Sequence, residues 1–415
     1  MQSLAVLRTD GDPFSDSWLA DLYRPEERKI GILRQGLRLF PHNAIAWAEL
    51  SLLHARDGKK NKAERCMKVA VSLAPDDRFV IRSAVRCFSH LREPEVGLDF
   101  INRTDRTKED PWLLAAHIAL SQSLKLNQRY AKTAKLLAES GRHSTWNLSE
   151  LNAALGSLLH HEGLDKKANK HFRACLSKPT ENALCQVIVD QRTPAFQKLI
   201  HEIHPTHNFE SETRTHYGEL NLDQALKSAR AWLLDEPFSA RPALFGSFVA
   251  SVALEDNQAA VELLNQGLKP NPTNPLLLNN KALSLARLGE TDTAAETIRR
   301  ARDCSDGDSE IDTILTATEG LIHFRRGETA EGRIKYQAAI EQARRGGRME
   351  QVAMALVFLA REELDASTGE SDRLVQQAES MVAKLPQHQL DIRIALARLQ
   401  MAAEESKKSA GPKRS

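Results

Sequence analysis

Apolar residues along this chain recur at three- and four-residue steps in segments of about a dozen positions, and long runs of strict alternation are missing. The pattern predicts amphipathic helices throughout, separated by short breaks that carry Gly or Pro. The breaks come at a fixed interval. In one stretch Trp47, Leu50, Gly58, Ala63, Ala70 and Pro75 occupy positions 4, 7, 15, 20, 27 and 32 of a 34-residue unit. The same spacing returns with Ala260, Leu264, Gly267 and Pro272 at 20, 24, 27 and 32. It returns again from Pro275, with Ala282, Leu285, Gly289, Ala294, Ile298 and Ala301 at 8, 11, 15, 20, 24 and 27. Two further copies carry Gly156, Gly163, Ala168 and Phe172, then Gly320, Gly327, Gly332, Tyr336 and Ala339.

Each feature of the unit has a physical reading. Ala63, Ala168, Ala260 and Ala294 let two antiparallel helices approach closely. Gly58, Gly163, Gly289 and Gly327 supply the positive φ that a tight helix end demands. Proline at position 32 stops the second helix. One such hairpin has two apolar faces and cannot bury both alone, so neighbours must stack. On these residues the chain resembles the tetratricopeptide repeat family, whose unit is a helix, a tight turn and a second antiparallel helix. The resemblance implies an all-α, right-handed solenoid of about ten stacked hairpins.

The expected organisation is a lead-in over 1–23 and a basic solenoid over 24–190. An irregular bend follows over 191–222, with helices expected at 182–191 and 194–203 and a loop around Pro205–Phe209. Regular repeats occupy 223–346, longer helices 347–405 (about 347–366, 371–384 and 388–404), and a disordered basic tail 406–415. Length and composition agree: 415 residues exceed one ordinary core, and aromatics make up only 5%. No run of 18 apolar residues or basic, apolar leader is present, so a cytoplasmic protein without a membrane span is expected. Cysteines 66, 87, 175, 185 and 304 are odd in number and widely spaced, which suits buried thiols better than disulfides or zinc.

Charge divides the chain. Residues 1–200 hold 31 Lys and Arg against 23 Asp and Glu; residues 201–405 hold 22 against 32. Opposite ends could join copies of the chain into a homo-oligomer. No nucleotide-binding, hydrolase or metalloprotease motif is present, so no enzyme, cofactor or metal is expected. His201, His204, His207 and His216 cluster in sequence, but Pro205 interrupts any shared helix face, and they read as a solvated bend. Helical-repeat RNA readers have a similar period and need a basic groove. The acidic second half argues against nucleic acid.

The resemblance places partner contacts on the first helix of each unit, near positions 2, 5, 9, 12 and 13. Position 13 reads Arg56, His90, His161, Arg287 and Arg325, a basic ladder suited to an acidic peptide. The carboxylate clamp of the chaperone-binding members is absent: Asn280 matches, but Phe245 and Val249 stand where lysine and asparagine are needed. Phe245, Val249, Leu283 and Leu321 instead suggest an apolar groove floor, suited to a helix or an extended apolar segment. The expected function is a non-enzymatic scaffold that binds a partner protein or peptide through Arg56, Phe245, Val249, Asn280, Leu283, Arg287, Leu321 and Arg325. The alternatives are a regulatory subunit that recruits or restrains a separate nuclease or protease, a self-assembling solenoid, or an RNA-binding repeat.

Overall fold

The computed structural model describes residues 26–190, 196, 199–200, 203, 209–386 and 389–409, and all the described regular structure is helical. The chain divides into two compact units, 1–207 and 208–415, within the segment predicted as a bend. The lead-in 1–23, most of the predicted helix 194–203, and 205–208 of the predicted loop lie outside the described residues.

In the first unit α1 (Glu26–Leu39) precedes four hairpins: α2 (Ala44–Arg56) with α3 (Lys60–Leu73), α4 (Arg78–His90) with α5 (Pro94–Arg103), α6 (Pro111–Ser123) with α7 (Ala131–Glu139), and α8 (Thr145–His161) with α9 (Asp165–Leu176). Helix α10 (Glu181–Asp190) follows. Their starts are legible in the sequence. Asn43, Asp77, Asp110 and Ser144 each cap a first helix by accepting from a backbone N–H in its first turn. The small-residue contact is equally direct: Ala63 is wholly buried, and Ser51 Oγ donates to its carbonyl at 2.6 Å.

The second unit stacks α11 (Phe209–Gly218) with α12 (Leu222–Asp235), then α13 (Arg241–Phe248) with α14 (Asn257–Leu268). It continues with α15 (Pro275–Arg287) and α16 (Thr291–Asp303), α17 (Ser309–Arg325) and α18 (Thr329–Arg345), and α19 (Met349–Asp365) and α20 (Ser371–Ala383). A last helix, α21 (Leu390–Ser409), ends it. Helix α13 runs on into a π-helical turn, Val249–Ala253, and Glu255 then takes φ of 58°, where the next unit has Gly289 at 87°.

Lengthening, expected after residue 346, begins earlier: α17, α18 and α19 each have 17 residues against 13 for α15 and α16. Gly320 and Gly332 do not end these helices. They face each other at the crossing of α17 and α18, where a Cβ on Gly320 would lie 2.8 Å from the Tyr336 ring and 3.0 Å from the Gly332 carbonyl.

The last helix packs two ways. Ile392, Ala395 and Leu399 join the core shared with α19 and α20, as the first helix of another repeat would. Ile394 instead joins Tyr217, Ala225, Val249 and Ala253 from the start of the unit. Tyr217 donates its hydroxyl proton to Asp391 at 2.5 Å, and Arg398 Nε donates to the Ala253 carbonyl at 2.5 Å. Arg361 pairs with Glu255 at 2.6 Å. The second unit therefore closes on itself. Ser406–Ser409, predicted as tail, continue α21, with Lys407 on Asp372 at 2.9 Å; 410–415 lie outside the described residues.

Candidate functional site

Inside the second unit the inward faces of α13, α15, α17 and α19, with the first turn of α21, enclose a cleft of about 310 Å³. Its walls are apolar: Val252, Leu283, Ile314, Ala317, Met354 and Phe358. Across them runs a polar ladder. Thr318 Oγ1 donates to Asn279 Oδ1 at 2.8 Å, Asn279 Nδ2 to Asn280 Oδ1 at 3.3 Å, and Asn280 Nδ2 to Ser247 Oγ at 3.3 Å. Four side chains from three successive repeats thus hold one another's orientation on the cleft floor. Among the described residues, the charged groups lining the cleft are Glu350 and Asp391, both exposed and both carboxylates.

The predicted contact residues scatter about this cleft. Asn280 and Leu283 line it. Phe245 packs edge-on against Tyr217, with ring centroids 5.1 Å apart, under the Arg214 guanidinium. Val249 is wholly buried against Tyr217 and Ile394, and Leu321 is wholly buried in the main core.

Arg287 donates to the Ser251 carbonyl at 2.9 Å, and its guanidinium lies 5.3 Å from the centre of the Phe358 ring; burial lowers its pKa. Arg325 binds Glu362 and Asp365, each at 2.8 Å. Glu362 is itself buried, which raises its carboxyl pKa despite Arg325 beside it. Arg56 belongs to the first unit, half-buried at the end of α2, where burial lowers its pKa.

Of the other ladder members, His161 is exposed and His90 half-buried. The first unit's inward arginines are also engaged. Arg82 pairs with Glu150 at 2.8 Å and stacks 4.4 Å from the Trp112 ring, and Arg78 pairs with Asp110 at 2.5 Å. His201, His204 and His207 lie outside the described residues. His216 sits on α11.

Sequence reasoning passed over Asn279, Thr313, Ile314, Ala317, Thr318, Met354 and Phe358 as contacts. The signal for four of them was available: Asn279 stands at inward position 5 of the unit beginning at Pro275, Ile314 and Ala317 at 2 and 5 of the unit beginning at Thr313, and Phe358 at 12 of the count continued from Gly347. Met354, at position 8 of that last count, has no inward position to mark it.

Residues 249–309 match the tetratricopeptide repeat in sequence. That stretch and the stacked hairpins around it define a tetratricopeptide-type helical-repeat protein, an architecture that generally serves as a non-catalytic protein-interaction scaffold. No curated protein matches the chain in sequence.

Among solved structures, yeast Tom70 is similar at 14% identity over 99% of this chain and 98% of that one, with a TM-score of 0.38. The human IFIT1 dimer with m7Gppp-AAAA is 10% identical over 89% and 90%, at 0.43. The P58(IPK) tetratricopeptide domain is 14% identical over 88% and 99%, at 0.25. None of these three scores reaches 0.5, so none bears on function.

Proposed function

We propose that the chain is a non-enzymatic adaptor whose second unit holds an apolar segment of a partner protein in the cleft between α13 and α21. One observation carries this reading: four consecutive first helices turn Val252, Leu283, Ile314, Ala317, Met354 and Phe358 toward one concave space, across an orienting row of amides and hydroxyls. Apolar walls with a few convergent polar groups are the usual make-up of a recognition site.

The cleft takes in two or three apolar side chains of an extended segment, and the Asn280 amide is placed to meet its backbone. Two or three such side chains contribute about 3–9 kcal/mol before ordering costs, which sets micromolar affinity as the upper limit.

Screening the full chain against a displayed random-peptide library tests this. Ala317→Arg with Met354→Glu should remove all enrichment while helicity and Tm stay near wild type, because both side chains are only half-buried at the cleft wall. Leu321 is unsuitable for such a test, since a charge at a wholly buried position unfolds the repeat. Enrichment that survives the double variant refutes the cleft as the binding site.

A further inference from the structure

Resting on that reading, we infer that the segment held in the cleft carries a lysine or arginine beside its apolar residues, seated between Glu350 and Asp391. Basic position-13 side chains in the sequence suggest an acidic guest. In the folded unit those cations are engaged: Arg287 by the Ser251 carbonyl and the Phe358 ring, Arg325 by Glu362 and Asp365. Arg348, which borders the cleft beside Thr313 and Gln351, donates to both of these side chains.

The two carboxylates at the cleft's α19–α21 end are less fully engaged. Glu350 accepts from Gln389 through one oxygen at 3.4 Å, and Asp391 accepts from Tyr217 through one oxygen at 2.5 Å. Among the described residues nothing engages the second oxygen of either, and both residues are exposed where α19 and α21 begin. No described cation shares the cleft lining with them. The space therefore presents an apolar wall ending in two like charges, complementary to an apolar residue followed by a cation. Two carboxylates from different helices can share one guanidinium, whose fork offers donors in two directions.

The displayed-peptide screen of the full chain separates this inference from the reading it rests on. Peptides enriched on the wild type should carry Lys or Arg within a few residues of their apolar anchors. Synthesised singly, they should bind Glu350→Lys roughly three- to tenfold more weakly, as loss and reversal of a partly exposed charge pair imply. Selection on Glu350→Lys should shift enrichment toward Asp and Glu. Asp391 is left intact because it also anchors α21. If the enriched peptides are lost in Ala317→Arg with Met354→Glu yet carry no cation, or bind Glu350→Lys unchanged, the charge inference falls and the cleft stands. Peptides indifferent to both variants overturn the cleft and the inference together.

Discussion

Replacing Ile394 with alanine should uncouple the last helix from the start of the second unit without undocking it from its neighbours. Ile394 is 7% exposed and packs on Tyr217, Val249 and Ala253. Truncating a buried isoleucine to alanine costs about 2–5 kcal/mol, and alanines among the surrounding groups place this site near the lower end, about 2–3 kcal/mol. The remaining closure includes the half-buried Leu390 and the Tyr217–Asp391 and Arg398–Ala253 hydrogen bonds, the latter about 1 kcal/mol each. The substitution thus removes a large part of what holds this contact shut, and opening becomes about 30- to 150-fold more frequent. Native-state hydrogen exchange reads it directly. Protection should fall in 209–218 and 249–253, while 349–383 stays unchanged, because Ile392, Ala395 and Leu399 keep α21 on α19 and α20. Unchanged protection at 249–253, or an equal loss across 349–383, refutes the reasoning.

Two perturbations probe the packing and electrostatics of the same unit. Gly320→Ala should destabilise it by about 1–2 kcal/mol in denaturant unfolding. Overpacking costs about 1–3 kcal/mol, and the new methyl would press on the Tyr336 ring and the Gly332 carbonyl, a cost partly offset by alanine's better helix propensity. Stabilisation instead would show that α17 and α18 do not cross at this point. Glu363 is buried, which alone would raise its pKa, but hydrogen bonds from Arg333 and Thr368 prevail and hold it below 4.5. A lowered folded pKa stabilises above the unfolded value and is lost as pH falls through the folded one. The Tm deficit of Glu363→Gln should therefore be largest near neutrality and shrink as pH drops below 4.5; a constant deficit counts against the ion pair as its cause.

The hairpins were legible because they rest on local rules. A cap such as Asn274, a proline at Pro275 and the positive φ of Gly289 each act within a few residues, and together they set the start of α15 and the turn after it. The helix lengths from Ser309 onward were less legible. Gly320 and Gly332 hold the small-residue positions 8 and 20 and mark the crossing, but nothing local to them shows how far α17 and α18 run beyond it. The cleft was legible in part, through Asn280, Leu283 and the inward positions of Asn279 and Ala317. What escaped depends on distant partners. Leu321 lies in a core that reaches to Leu399, and α21 returns to Tyr217 across 174 residues.

The reversal of the cleft's charge follows from the same lengthening. Arg325 ends a 17-residue helix, and α19, also of 17 residues, brings Glu362 and Asp365 beside it from 37 and 40 positions along the chain. Arg287 ends the shorter α15 beside the π-helical turn, where the Ser251 carbonyl accepts a hydrogen bond from it, and Phe358 of α19 covers its face. Cations at helix ends meet the negative pole of their own helix and the carboxylates of the next repeat before they meet a guest. The sign of a repeat groove is therefore set by the charges left over after the stack has paired its own. Here the carboxylates of Glu350 and Asp391 line the cleft with no described cation beside them in its lining, which is the charge the proposed guest would meet.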